Sequence, residues 1–290
     1  MTYPKDIGIV DLMFGIPVSE DNSEFYDFIK PLLMDNESRQ MFKMPAQYMF
    51  KDIPQVGPVE DKVAWTIAQM DRFNIQHALV GVNLENAEGV AALRAYGDRF
   101  LLSYEVNPNR GMEEVRDIKR LKRDHGIVAV TCFPAGINPQ TPINDKRFYP
   151  IYAACVEEDL PIFVTTGICG PRIPSLCQKT ELIEEVVWFF PELKFVMRHG
   201  SEPWEDMAVK LMLKFPNLYY STSAFAPKHY PKAIIEFANS RGANKILYAG
   251  YFPMGLSLDR IFSDMEKVPF KPEVWPKFLR ENALTLFGML

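Results

Sequence analysis

The stretch Phe190-Pro-Glu-Leu-Lys-Phe-Val-Met-Arg-His-Gly-Ser-Glu-Pro-Trp204 decides the fold of this 290-residue chain. A helical pattern ends at its start, and Leu193 to Met197 is an apolar run of strand length. Arg198 and His199 fall where that strand gives out. Gly200 permits a sharp exit, and Pro203 suits the first turn of a following helix. Polar groups at the C-terminal end of a buried strand are costly unless they have partners or work there. The stretch therefore reads as helix, turn, buried strand, pocket floor, helix.

The same unit repeats outward in both directions. Strands are expected over 7–13, 77–82, 100–106, 127–133, 161–165, 194–198, 217–221 and 245–250. Amphipathic or charged-faced helical patterns lie between them, as over 61–74, where Val63, Ile67, Met70 and Phe73 share one face. Two closing helices are expected near 258–266 and 272–288. Short strands of apolar residues suit a parallel sheet buried on both faces. The competing arrangement, a doubly wound open sheet, lacks the glycine fingerprint after its first strand. The expectation is a single (β/α)8 barrel over 1–290, near the typical length of that fold.

Residues 16–60 break the rhythm, with prolines at 17, 31, 45, 54 and 58 and a helical pattern only over 24–34. A long irregular segment in a compact domain is usually a lid, a binding loop or an interface arm. The apolar run 41–50 within it suits either the wall of a substrate tunnel or a dimer interface.

Composition narrows the partners. A net charge of −5 without a long basic run argues against nucleic acid. No apolar stretch reaches membrane-spanning length, and the first residues lack a signal pattern. The four cysteines show no C-x-x-C spacing and suit a reducing cytoplasm. A small-molecule substrate, no cofactor and a homodimer are the expectation.

In a (β/α)8 barrel the active site lies at the C-terminal strand ends. Here those ends carry Asp11, Glu105 with Asn107, Thr131 with Cys132, Thr165 with Thr166, Arg198 with His199, Thr222 with Ser223, and Tyr251. Alternation along the first strand puts Asp11, Met13 and Gly15 on one face.

Pro161-Ile-Phe-Val-Thr-Thr-Gly167, Phe190-Pro-Glu-Leu-Lys-Phe-Val-Met-Arg-His-Gly200 and Ile246-Leu-Tyr-Ala-Gly-Tyr-Phe-Pro-Met254 occur in this order, with Glu281-Asn-Ala-Leu284 near the end. The chain thereby resembles the amidohydrolase-related family of the amidohydrolase superfamily, in the branch of aminocarboxymuconate semialdehyde decarboxylase. The resemblance spans nearly the whole chain and is strongest from residue 126 onward. It implies a (β/α)8 TIM barrel, often dimeric, with a metal at the mouth in most members.

The departures from the family pattern bear on mechanism. The family's first strand ends Asp-x-His-x-His; here the matching residues are Asp11, Met13 and Gly15. The fifth strand's Val-His-Thr-Gly is Val164-Thr165-Thr166-Gly167, and the eighth strand's Gly-Ser-Asp-Tyr-Pro is Ala249-Gly250-Tyr251-Phe252-Pro253. His199 alone remains of the family's ligand histidines and aspartate. A catalytic zinc needs about three protein donors, so no metal is expected.

Two readings follow. In the first, the barrel is a metal-independent hydrolase or carbon–carbon lyase for a small organic acid. His199, Tyr251 and Asp11 are then its catalytic candidates. Arg198 or Arg172 would hold a carboxylate, with Thr165, Glu105, Cys169 and Met13 lining the pocket. In the second, the barrel is non-catalytic and binds a ligand or partner. Blander roles stand beside each candidate: Arg198 in a helix–strand salt bridge, Asp11 capping backbone amides, Cys169 a buried inert thiol, Tyr251 a packed ring.

Overall fold

A computed structural model of the chain describes residues 3–18, 20, 23–40, 46–50, 53–81, 83 and 86–290. Eight parallel strands form one sheet in sequence order: β1 Ile9–Asp11, β2 Ile75–Gly81, β3 Phe100–Glu105, β4 Ala129–Cys132, β5 Ile162–Thr165, β6 Phe195–Arg198, β7 Leu218–Ser221 and β8 Ile246–Leu247. The ring closes between its ends. The Leu12 amide donates to the Tyr248 carbonyl at 3.3 Å, and Phe14 forms a parallel bridge with Phe252.

Helices follow most strands. They are α1 Asn36–Gln40, α2 Lys62–Arg72, α3 Ala87–Arg94, α4 Met112–His125, α5 Tyr149–Glu157, α6 Ile183–Phe189, α7 Glu205–Lys214, α8 Lys232–Ala238 and α9 Leu258–Met265. Local chemistry sets their ends. Asp61, Asn86 and Ser257 cap α2, α3 and α9 by accepting amides of the first turn. Gly126, at φ 59°, ends α4 in the left-handed conformation. The expected last helix runs without a break from Val274 to Leu286, with a π turn over Lys277–Glu281 inside it.

Two apolar shells sandwich the sheet. Val10, Leu12, Leu79, Leu101, Phe163, Val196 and Leu247 fill the barrel, and Leu284 and Leu286 pack against them. Ile9, Val80, Leu102, Val164, Met197 and Tyr248 face the helices. Because both faces are buried, strand side chains are apolar throughout, and polarity is confined to the ends. Strand β8 is only two residues long, and residues 248–252 continue alongside the segment after β1 through the contacts that close the ring.

The insertion after β1 lies over the barrel mouth. Its largest described element is a 3-10 helix, Ser23–Leu32. Phe25, Tyr26, Phe28, Ala46, Met49 and Phe50 wall the same cavity as the strand ends. Of the apolar run 41–50, residues 41–45 lie outside the described residues.

Candidate functional site

A cavity of about 950 Å³ opens at the C-terminal ends of the strands. Met13, Glu105, Thr165, Cys169, Arg198, His199 and Tyr251 all line it, converging from β1, β3, β5, β6 and β8.

Its floor is a polar patch built on adjacent strands. Arg198 is almost wholly buried; its Nε donates to Thr165 Oγ1 at 3.3 Å and its Nη2 lies 3.8 Å from Glu105 Oε2. Thr131 Oγ1 donates to the same carboxylate at 3.2 Å. Arg198 is thus not tied to a helix. Its partners are strand-end groups, and it lines the cavity beside them.

His199 reaches the same cavity through an unusual turn. Strict alternation would send neighbours 198 and 199 to opposite sides. Instead His199, Gly200 and Ser201 have φ of 63°, 86° and 55°, a left-handed run costly for the two residues with a Cβ. Three contacts hold it. The His199 amide donates to Ser223 Oγ at 3.1 Å, and Tyr220 Oη donates to the Gly200 carbonyl at 2.9 Å. The Thr166 and Ser201 hydroxyls meet at 2.7 Å. The turn swings the imidazole back beside Arg198. Nδ1 is sealed and has no hydrogen-bond partner, which leaves Nε2 as the nitrogen presented to the cavity. Burial first, and the Arg198 charge second, push the His199 pKa down from 6.5 to about 3.

Tyr251 faces His199 edge-on, with ring centroids 5.6 Å apart. Tyr26, from the insertion, donates to its hydroxyl at 3.4 Å. Burial raises the Tyr251 pKa, so the phenol stays protonated near neutral pH. Cys169 sits at the edge, its Sγ 3.1 Å from Ser175 Oγ, with burial raising the thiol pKa. It lacks the electropositive surroundings that make a reactive thiolate.

Two expected site residues are elsewhere. Asp11 is fully buried and does not line the cavity. Strand β1 ends at Asp11, so strand alternation no longer relates Asp11 to Met13. The carboxylate instead accepts the Gly250 amide at 2.8 Å and the Met13 amide at 3.0 Å, joining β1 to the end of β8. Position 250 must be glycine for this approach, since a Cβ there would lie 2.6 Å from Asp11 Oδ2. Burial outweighs these bonds and raises the Asp11 pKa from 3.8 to about 7. Arg172 is also away from the cavity. Its guanidinium pairs with Asp35 at 3.1 Å and Glu37 at 2.9 Å and covers the Tyr48 ring, latching the insertion onto the loop after β5.

His229 lines the cavity and escaped the sequence reading. It lies in a 3-10 turn, Pro227–His229, eight positions past the end of β7. Its signal was scarcity: the chain has only four histidines, and two of them are here.

The positions singled out from the family pattern carry the side chains of Met13, Thr165, His199 and Tyr251, with none at Gly15. The room a side chain would need at Gly15 is taken, since a Cβ would lie 2.5 Å from Met254 Sδ. Among the described residues, no group of three or more His, Cys, Asp or Glu could hold a metal ion. None of their helices is long and apolar enough to cross a membrane.

Comparison with known proteins agrees with this architecture. An uncharacterised TIM-barrel protein from Bordetella bronchiseptica superimposes with a TM-score of 0.69 at 23% identity, covering 97% of this chain and 98% of that one. The 5-carboxyvanillate decarboxylase of Sphingomonas paucimobilis does so at 0.68 and 12% identity, covering 98% and 100%. A dihydroxybenzoic acid decarboxylase from Polaromonas, solved with bound manganese, gives 0.66 and 14%, covering 98% and 97%. At such identities the likeness shows the TIM-barrel fold alone. No curated protein sequence matches the chain. The amidohydrolase family profile matches residues 32–289, and the chain belongs to that family.

Proposed function

We propose that the barrel binds a small organic acid through Arg198 and breaks a bond beside His199 and Tyr251 without a divalent metal. The observation that carries this reading is the Arg198 guanidinium, buried among strand-end partners and lining the cavity. Such a group matches a carboxylate in fork geometry. Its grip favours the ionised carboxylate over neutral carbon dioxide, so the held carboxylate is the anchor and the reacting bond lies elsewhere on the substrate.

Tyr251 is the proton donor or oxyanion partner, its phenol protonated at working pH. His199 is the neutral acceptor for a water or hydroxyl proton. A carboxylate on Arg198 removes one of the two causes that depress the imidazole, so substrate binding itself raises its basicity. Metal independence rests on donor chemistry. The His199 imidazole, a thioether, a threonine hydroxyl and a phenol, with an arginine beside them, do not fit a zinc or manganese ion, and among the described residues no group of three or more His, Cys, Asp or Glu could hold one. The reaction class, hydrolysis or carbon–carbon lysis, is carried over from the family. A cytoplasmic homodimer belongs to the same reading, supported by four free thiols and the exposed apolar residues of the insertion.

A non-catalytic ligand-binding barrel is the second reading, favoured by the low basicity of His199. Turnover of a panel of hydroxylated, acylated and unsaturated carboxylic acids, assayed with chelator present, separates the two. Release of product that persists in chelator and disappears in R198M supports the first. Activity that appears only on adding zinc or manganese rules it out.

A further inference from the structure

The cavity is far larger than its polar floor requires. At about 950 Å³ it lies at the upper end of the range that drug-sized ligands fill. Apolar side chains make up much of its wall, with Phe133 and Phe225 half-buried and Phe28, Met49 and Ile168 exposed. Those last three are 51%, 58% and 60% exposed, an unusual cost for large apolar side chains grouped around one opening. The carboxylates among the lining groups disfavour a second acid group beside them. Glu105 and Glu202 both line the cavity, and the Arg260 guanidinium lies 4.0 Å from Asp264.

We infer that the ligand is an amphiphilic monocarboxylate whose apolar body exceeds a single ring. Its carboxylate sits on Arg198, and its body runs outward between the insertion (Phe28, Met49) and the loop carrying Ile168. This rests on the Arg198 anchor proposed above and adds the size and polarity of the rest of the molecule. Two sources of selectivity result. The floor distinguishes acid from neutral analogue by a charge-assisted pair, and the walls distinguish long from short by apolar area.

Isothermal titration of the full chain with biphenyl-4-carboxylate, benzoate and biphenyl-4-carboxamide tests both without requiring turnover. The biphenyl acid is expected to bind at least about tenfold tighter than benzoate, and at least about tenfold tighter than its amide. F28S/M49S should erase the first difference. R198M should erase the second; if it does not fold, the amide comparison in the unaltered protein still decides. Benzoate binding as tightly as the biphenyl acid overturns the inference about size. Equal binding of acid and amide, with benzoate weaker, overturns the Arg198 anchor while leaving the apolar wall. No binding by any of the three at millimolar concentration overturns both.

Discussion

The His199 imidazole and the Tyr251 phenol meet edge-on across the barrel mouth, with ring centroids 5.6 Å apart and planes at 79°. They come from β6 and from the segment after β8, with β7 between. Both rings line the same cavity, as a shared ligand would require. If they form an acid–base pair, H199N and Y251F should each lower turnover by about 10²–10⁴-fold. The double variant should be little worse than either single one, because the two act as a unit. Steady-state kinetics on variants that keep the thermal midpoint of the unaltered protein checks this. Multiplicative losses would show that the two groups act independently.

Asp11 and His199 give the stability a pH signature through opposite shifts. Asp11 is raised from 3.8 to about 7, and His199 is lowered from 6.5 to about 3. Between these limits the unfolded chain holds its proton on His199 and the folded chain holds it on Asp11, so their contributions cancel. D11N leaves His199 alone. The unfolded state then binds the extra proton, and stability rises with pH by up to about 1.4 kcal/mol per unit between roughly 4 and 6.5. H199N leaves Asp11, whose contribution is full below its unfolded value and lost as pH rises through about 7. Urea unfolding at three pH values in this window should give slopes of opposite sign for the two variants. Parallel profiles would show that neither group is shifted as described.

Purified protein should carry no stoichiometric zinc, iron or manganese. Elemental analysis after dialysis is the measurement. About one metal per chain, lost on changing His199, would refute metal independence.

The Arg172 latch should govern the insertion and contribute little to global stability. Its side chain is 39% exposed, and solvent screens an ion pair so placed. R172A should therefore leave the urea midpoint of global unfolding almost unmoved. Amides of residues 23–40 should exchange faster, and entry of ligand to the cavity should become faster. Unaltered exchange across this segment would show that apolar contacts, not the latch, hold it in place.

The order and length of the strands were legible in the sequence because each is a short apolar run punctuated by turn residues. Burial on both faces demands that pattern, and eight repeats of it admit few closed arrangements. The family followed from motifs such as Phe195-Val-Met-Arg-His-Gly200 for the same reason: strand ends are fixed points of the fold. The cavity's membership was only partly legible. Thr165, Glu105 and Met13 reach it as strand ends do. Arg198 and His199 both reach it only because the chain turns left-handed at residue 199, held by Ser223, Tyr220 and Thr166 from other strands. Alternation is a local rule and cannot foresee a turn imposed by distant hydroxyls. Asp11 and Arg172 took structural positions because partners remote in sequence, Gly250 for one and Asp35 with Glu37 for the other, claimed their charges first. The sequence by itself determined which residues stand at the ends of the strands; the tertiary structure decided which of those ends open into the cavity, since that depends on long-range hydrogen bonds that no local pattern encodes.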